Sequence, residues 1–276
     1  MKKRNPRTAG FTLIELLVVI AIIGILSSIV LVVLGSGRSK ARVGAGLKSD
    51  ASLNIGIGDR TLGEWMFNDC SGSSLADTLG SHTGTLVGSP TWGSATSGPT
   101  GKRCSLAFNG SSQYVQIGAV TSGITLTYTT WIKVDAFPAT AQTFLWDDNS
   151  APGGDTFIEI QTNGQIWFNN PSIVLASNRA VNVGEWVFVV VTGDTNGIRM
   201  YLNGAPVAST VITLVNRTGI SNVAIGARAD GPGPLGTPAY FAGSVGELRI
   251  YSAALTSTDI RKLYAEAAPR YKVAVQ

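Results

Sequence analysis

Glu15 is a lone carboxylate behind Gly10-Phe11-Thr12-Leu13-Ile14, and the apolar stretch from Leu16 to Leu34 beyond it is broken only by Gly24, Ser27 and Ser28. About 20 apolar residues span a bilayer. An acid near mid-bilayer costs roughly 2.5–3.5 kcal/mol on insertion scales, so Glu15 implies a partner for its charge. A secretory signal peptide fits poorly, because its apolar core runs only about 7–15 residues and ends at a small-residue cleavage site. The other candidates for chemistry lie farther along. His82 is the only histidine, and nothing but its presence supports a general-base role. Asp155 and Glu159 share one face of a strand, about 13 Å apart at ~3.3 Å per residue. Carboxylates that cleave a sugar bond with retention stand about 5–5.5 Å apart, and Phe157 occupies the position between. Catalysis is therefore not expected. Trp131 shares its parity with polar Thr127, Thr129 and Lys133, whereas Tyr128, Ile132 and Val134 form the apolar face. It is expected on a solvent-facing sheet surface, where its ring could stack on a sugar. Asp147-Asp148-Asn149 follows an expected strand end and reads as rim ligands or as a turn.

The elements that must position these groups divide the chain near residue 60. Before it, Phe11 to Leu53 reads as a helix, apolar to Leu34, loosened by Gly35-Ser36-Gly37 and weakened later by Gly44 and Gly46. Residues 54–59 read as a linker. Beyond it, short runs rich in Val, Thr, Ser and aromatics alternate with turn residues, the signature of an all-β sandwich or barrel. The expected strands include Cys104–Phe108, Tyr114–Ile117, Ile124–Val134, Thr143–Trp146, Phe157–Gln161, Glu185–Thr192, Ile198–Leu202 and Tyr240–Tyr251. Leu202-Asn203-Gly204-Ala205 predicts a tight hairpin, since both central residues accept positive φ. Val187 to Val191 is apolar at both parities and predicts a strand buried on both faces. Thr256-Ser257-Thr258-Asp259 predicts a capped helix start, and Pro269 a stop. Of the 6 tryptophans, all in this part, Trp65 and Trp186 suit core packing.

The residues around Gly10, with Lys2-Lys3-Arg4 and Arg7 before them, resemble the leader and first helix of type IV prepilins and pseudopilins. The resemblance implies that a prepilin peptidase cuts after Gly10 and that Phe11 becomes an N-methylated N-terminus. Glu15 would then meet the terminal amine of a neighbouring pilin or pseudopilin subunit. Charge alone does not orient the segment, because Arg38, Lys40, Arg42 and Lys48 follow it. The cleavage pattern places the leader in the cytoplasm and everything after Leu34 outside. The whole chain has 21 Lys+Arg against 17 Asp+Glu, and the four basic leader residues account for the excess. A basic nucleic-acid-binding surface is not implied.

The order of pieces beyond residue 60 is similar to the laminin-G-like, concanavalin A-like jelly-roll family. Five stretches carry the likeness: Trp65–Gly72; Ala76-Asp77 to Gly84-Thr85-Leu86; Ser105–Gly110 with Tyr114-Val115; Trp186–Thr192 before Tyr201–Gly204; and Gly243–Tyr251 with Leu255. One departure stands out, for many relatives carry an acid where Gly246 stands, leaving Glu247. The expected fold is mainly β: a transmembrane pilin-like α-helix followed by an antiparallel β-sandwich of jelly-roll type with a short C-terminal helix. The expected organisation is a leader at 1–10, a helix at 11–53 (transmembrane over 11–34), a linker at 54–59, the jelly roll at 60–268 and a tail at 269–276.

Outside the membrane, Cys70 and Cys104 are expected to pair, a free buried pair being the alternative. The family resemblance also implies a structural calcium ion, with Asp69, Asp77 and Asn109 at acid or amide positions of its pattern; plain turn residues are the other reading. The expected protein is a minor pilin or pseudopilin subunit in the cytoplasmic membrane, cell surface or pilus, whose head adheres to surface glycans. The alternatives are an anchored carbohydrate-active enzyme, or a surface protein that borrows the export route without entering a filament.

Overall fold

The computed structural model describes residues 57–267 except 102, 150–154, 172, 215–216 and 229–238, together with four positions near the N-terminus. Those four, Leu13, Leu17, Ile20 and Ile22, are helical and exposed. Gly10, Phe11 and Glu15 lie outside the described residues, as does most of the expected helix. Among the described residues no helix is long and apolar enough to cross a membrane. The chain divides into two units, Met1–Asp59 and Arg60–Gln276.

The second unit opens with β1 (Thr61–Trp65), β2 (Ser74–Leu75), β3 (Gly84–Val87), β4 (Thr91–Trp92), β5 (Leu106–Asn109) and β6 (Tyr114–Gly123). It continues with β7 (Leu126–Lys133), β8 (Gln142–Asn149), β9 (Thr156–Ile160), β10 (Gln165–Asn170) and β11 (Ile173–Ala180). Last come β12 (Trp186–Asp194), β13 (Gly197–Leu202), β14 (Ala205–Thr210), β15 (Arg217–Ile225), β16 (Ala242–Tyr251) and the helix α1 (Ser257–Ala267). Antiparallel pairing arranges them in two sheets. The first runs β14-β13-β12-β7-β16-β5-β4, with β1 also on β16; the second runs β11-β10-β9-β8-β15-β6-β3-β2.

Period-2 alternation builds the core between the sheets. Leu126, Tyr128 and Ile132 of β7 and Val187, Val189 and Val191 of β12 face Ile158, Ile160, Ile166, Phe168, Val223 and Ile225 of the second sheet. The expected hairpin closes on Asn203 and Gly204, with φ of 52° and 75°, and pairs Leu202 with Ala205. The cap of α1 is reciprocal: Asp259 N donates to Thr256 Oγ1 at 3.2 Å, and Thr256 N donates to Asp259 Oδ2 at 3.2 Å. Cys70 and Cys104 form a disulfide across a sequence separation of 34.

The far side of the first sheet departs from expectation. Trp131 is 4% exposed, packed between Phe188, at 5.1 Å between ring centroids, and Tyr264 of α1, at 5.9 Å. Thr127 and Thr129 of its parity are buried too. Thr127 Oγ1 donates to Ala253 O and accepts from Leu255 N, so the strap into α1 satisfies the hydroxyl and seals that face. Trp131 is therefore a packing residue beneath a helix, not a solvent-facing platform. Val187–Val191 is buried at both parities for the same reason. Trp186 lies on this outer face, half-buried, with Lys133 Nζ 5.8 Å from its ring centroid; Trp65 is in the core as expected.

Candidate functional site

The outer face of the second sheet carries a different set. On β9, Ile158 and Ile160 point into the core, so Phe157 and Glu159 face away from it. Register then aligns two rows. Trp146, Phe157 and Asn169 are neighbours across β8, β9 and β10; Thr143, Glu159 and Trp167 form the adjoining row. The floor is buried, with Trp146 at 1% and Glu159 at 9% exposed. Phe157, Trp167, Asp155 and Arg228 form a half-buried rim.

Glu159 Oε1 accepts from Gln161 Nε2 at 2.6 Å and from Asn169 Nδ2 at 3.0 Å. Burial pushes the Glu159 carboxyl above its ordinary range, against the opposing pull of those hydrogen bonds and of the Arg228 charge. Arg228 lies over Phe157, with Cζ 5.2 Å from the ring centroid, and ion-pairs through Nη2 with Asp155 Oδ2. Three donors here, Trp146 Nε1, Trp167 Nε1 and Arg228 Nε, are buried with no hydrogen-bond partner among the described residues. A buried unmade hydrogen bond costs about 1–3 kcal/mol, and native structures hold few of them. Three such donors share this one sheet face.

The sequence-predicted residues fall elsewhere, except Asp148, which lies two residues along β8 from Trp146 and on its side. Asp147 and Asp148 are inside β8, not beyond a strand end. Asp147 is 1% exposed and receives the Tyr128 hydroxyl from the first sheet, so it lies in the core and not on a rim. Asp77 Oδ1 accepts from the backbone amides of Glu64 and Leu79, and Oδ2 from those of Ser81 and His82, all at 2.9–3.1 Å. A carboxylate offers about four acceptor positions, and these are filled. Asn109 Oδ1 accepts from Ser111 N and Ser112 N, and Asp69 Oδ2 from Ala76 N. These oxygens organise turns, and no group of three or more His, Cys, Asp or Glu side chains that could hold a metal ion occurs among the described residues. Gly246 has a steric reason, since a Cβ there would stand 2.7 Å from Pro99 Cδ. Glu247 beside it is buried, at φ 47°, with Oε1 3.3 Å from Arg103 Nη1 but no hydrogen bond to it.

Sequence reasoning misses Trp146, Trp167, Asn169 and Arg228. The alternation Phe157/Glu159 and Trp167/Asn169, polar and aromatic on one parity in two adjacent strands, is the signal that could have found them.

Two antiparallel sheets around one core, with a polar and aromatic outer face, define a lectin- or glucanase-type sandwich. The family model described as "Concanavalin A-like lectin/glucanases superfamily" matches residues 109–261, more than half of the chain. The chain belongs to that superfamily. The model described as "Prokaryotic N-terminal methylation motif" matches residues 5–31, so the chain also carries a prepilin-type N-terminus. Comparison with the curated proteins returns no match.

Among solved structures, the chain is similar to domain 4 of AbnA, a GH43 extracellular arabinanase of Geobacillus stearothermophilus, in complex with arabinotriose. The TM-score is 0.56 at 17% identity, covering 74% of this chain and 98% of that one. It is also similar to Trypanosoma rangeli sialidase in complex with sialic acid, with TM-score 0.57 at 20% identity over 75% of this chain and 33% of the sialidase. A third is botulinum neurotoxin type C, whose cell entry depends on interaction with two ganglioside molecules, with TM-score 0.56 at 15% identity over 77% of this chain and 52% of that one. The chain thus spans a third of the sialidase and about half of the neurotoxin. These likenesses correct the expectation that catalysis is foreign to this chain. Its sandwich recurs within chains of sugar-cleaving enzymes, so the fold does not set the protein apart from them.

Proposed function

We propose that this protein is a minor pilin or pseudopilin subunit whose sandwich head binds glycans on the outer face of the second sheet. On this reading a prepilin peptidase cuts between Gly10 and Phe11, Phe11 is N-methylated, and Glu15 meets the terminal amine of a neighbouring subunit in the membrane. The methylation motif at residues 5–31 supports the processing. The observation that carries the glycan reading is the set of buried Trp146, Trp167 and Arg228 donors, without partners among the described residues, beside Glu159. Sugar hydroxyls both accept and donate, so they match indole N–H groups next to a carboxylate. Arabinotriose, sialic acid and gangliosides, named for the similar structures, are all sugars or sugar-bearing ligands.

The test has two parts. Intact-mass analysis of the native protein is expected to find a chain starting at methylated Phe11, and an unprocessed leader would overturn the pilin reading. The purified full chain in detergent is expected to bind on a glycan array, with binding weakened several-fold by Trp167→Phe, which keeps an aromatic ring but removes the N–H. No binding to any glycan would overturn the glycan reading. A second reading, an anchored carbohydrate-active enzyme, is favoured by the raised proton affinity of Glu159, and turnover of bound glycans would establish it.

A further inference from the structure

The charges of this face restrict which sugars it can take. Trp146 faces away from the core, and Asp147 beside it points inward to Tyr128. Asp148 therefore shares the side of Trp146, the same side as Asp155 and Glu159. Arg228, the cation identified among the described side chains of this face, is committed to Asp155. Glu159 is held by the neutral amides of Gln161 and Asn169.

Resting on the glycan-binding reading above, we propose that this face selects neutral sugars and turns away sugars bearing a carboxylate. A sugar hydroxyl accepts from an indole N–H of Trp146 or Trp167 and donates to Glu159, so one group answers both kinds of protein atom. A ligand carboxylate only accepts. Seated on the indole of Trp167, which stands opposite Glu159 on the next strand, it would bring a like charge close to that carboxylate, where repulsion in a partly desolvated site weakens binding by about 10- to 100-fold. The burial that already raises the proton affinity of Glu159 makes a second anion harder to admit. Sialic acid is itself a carboxylated sugar, so the selectivity runs opposite to what the sialidase likeness would lead one to look for.

The experiment uses the full chain in detergent on an array pairing each neutral oligosaccharide with its uronic-acid or sialylated counterpart, followed by titration calorimetry on the tightest pair. The expected result is a preference for the neutral member of at least about tenfold. Glu159→Gln, which keeps shape and one acceptor, is expected to narrow that gap to within about threefold. Equal or tighter binding of the carboxylated member by the unaltered chain overturns this inference and leaves glycan binding intact. Absence of binding to either member overturns both. A neutral preference unchanged in folded Glu159→Gln overturns the role given to that residue. Should the variant not fold, the paired comparison on the unaltered chain still decides the selectivity.

Discussion

Trp131→Ala separates packing from recognition at one residue. The indole is 4% exposed and lies against two aromatic rings, Phe188 at 5.1 Å and Tyr264 at 5.9 Å. Truncating a buried Trp to Ala costs about 3–5 kcal/mol, and each aromatic pair holds about 0.5–1.5 kcal/mol beyond buried area. For a domain of this size each kcal/mol moves the melting temperature by about 2–4 °C, so the variant is expected to melt about 10 °C lower. Tyr264→Ala removes the same stack from the helix side, where the ring is half-buried, and is expected to cost less, about 1–3 kcal/mol. Because the two residues touch, the double variant should show a coupling of about 0.5–1.5 kcal/mol. Thermal and urea unfolding measure these costs, and glycan binding of the folded fraction is measured alongside. A Trp131→Ala protein as stable as the parent but unable to bind sugar would refute the packing argument and restore Trp131 as a ligand platform.

Two further outcomes follow from the same structure. Replacing both Cys70 and Cys104 by Ser opens a loop of sequence separation 34, which the chain-entropy model values at about 3–4 kcal/mol; urea midpoints that match the parent's would count against it. Burial pushes the Tyr251 phenol up to about 12, with Arg249 opposing it. Between pH 10 and 12 the unfolded chain loses this proton while the folded one keeps it, so stability falls as pH rises, by roughly 2–3 kcal/mol in all. Tyr251→Phe should flatten that part of the decline in denaturation series at pH 9, 10 and 11; parallel declines would place the alkaline sensitivity elsewhere.

Features set by neighbouring residues are legible in the amino-acid sequence alone. Asn203-Gly204 announces its turn because the two residues that need positive φ are adjacent in the chain. The Thr256–Asp259 cap reads equally well, since both partners of its reciprocal hydrogen bonds lie within one helical turn. The disulfide follows from compartment and count, and the sandwich from five motifs in order. Parity within a strand is legible too: Trp131 does share a face with Thr127 and Thr129, and Glu159 with Phe157. What parity cannot report is the identity of the layer on top of a face. Thr127 reads as a solvent residue because threonine is polar, yet its hydroxyl is satisfied by Ala253 and Leu255, more than a hundred residues away.

The same limit hides the candidate site even though its central carboxylate stands out. Along one strand, Asp155 and Glu159 are too far apart to act as a catalytic pair. That spacing excludes little, because a site on a sheet is built across strands as well as along them. Glu159 draws on Asn169 from the next strand and faces Trp167 directly across the ladder. Asp155 draws on Arg228, 73 residues later. Antiparallel register, set by distant turns and by burial of the opposite face, brings these groups together. A polar and aromatic parity repeated in consecutive strands is thus the local trace of a non-local surface. Where both sheets of a sandwich carry such a trace, the one left without a covering helix is the one to search for a ligand. Among the described residues α1 covers the first sheet, so the trace at Trp131 marks a packed interface and the trace at Glu159 marks the candidate site.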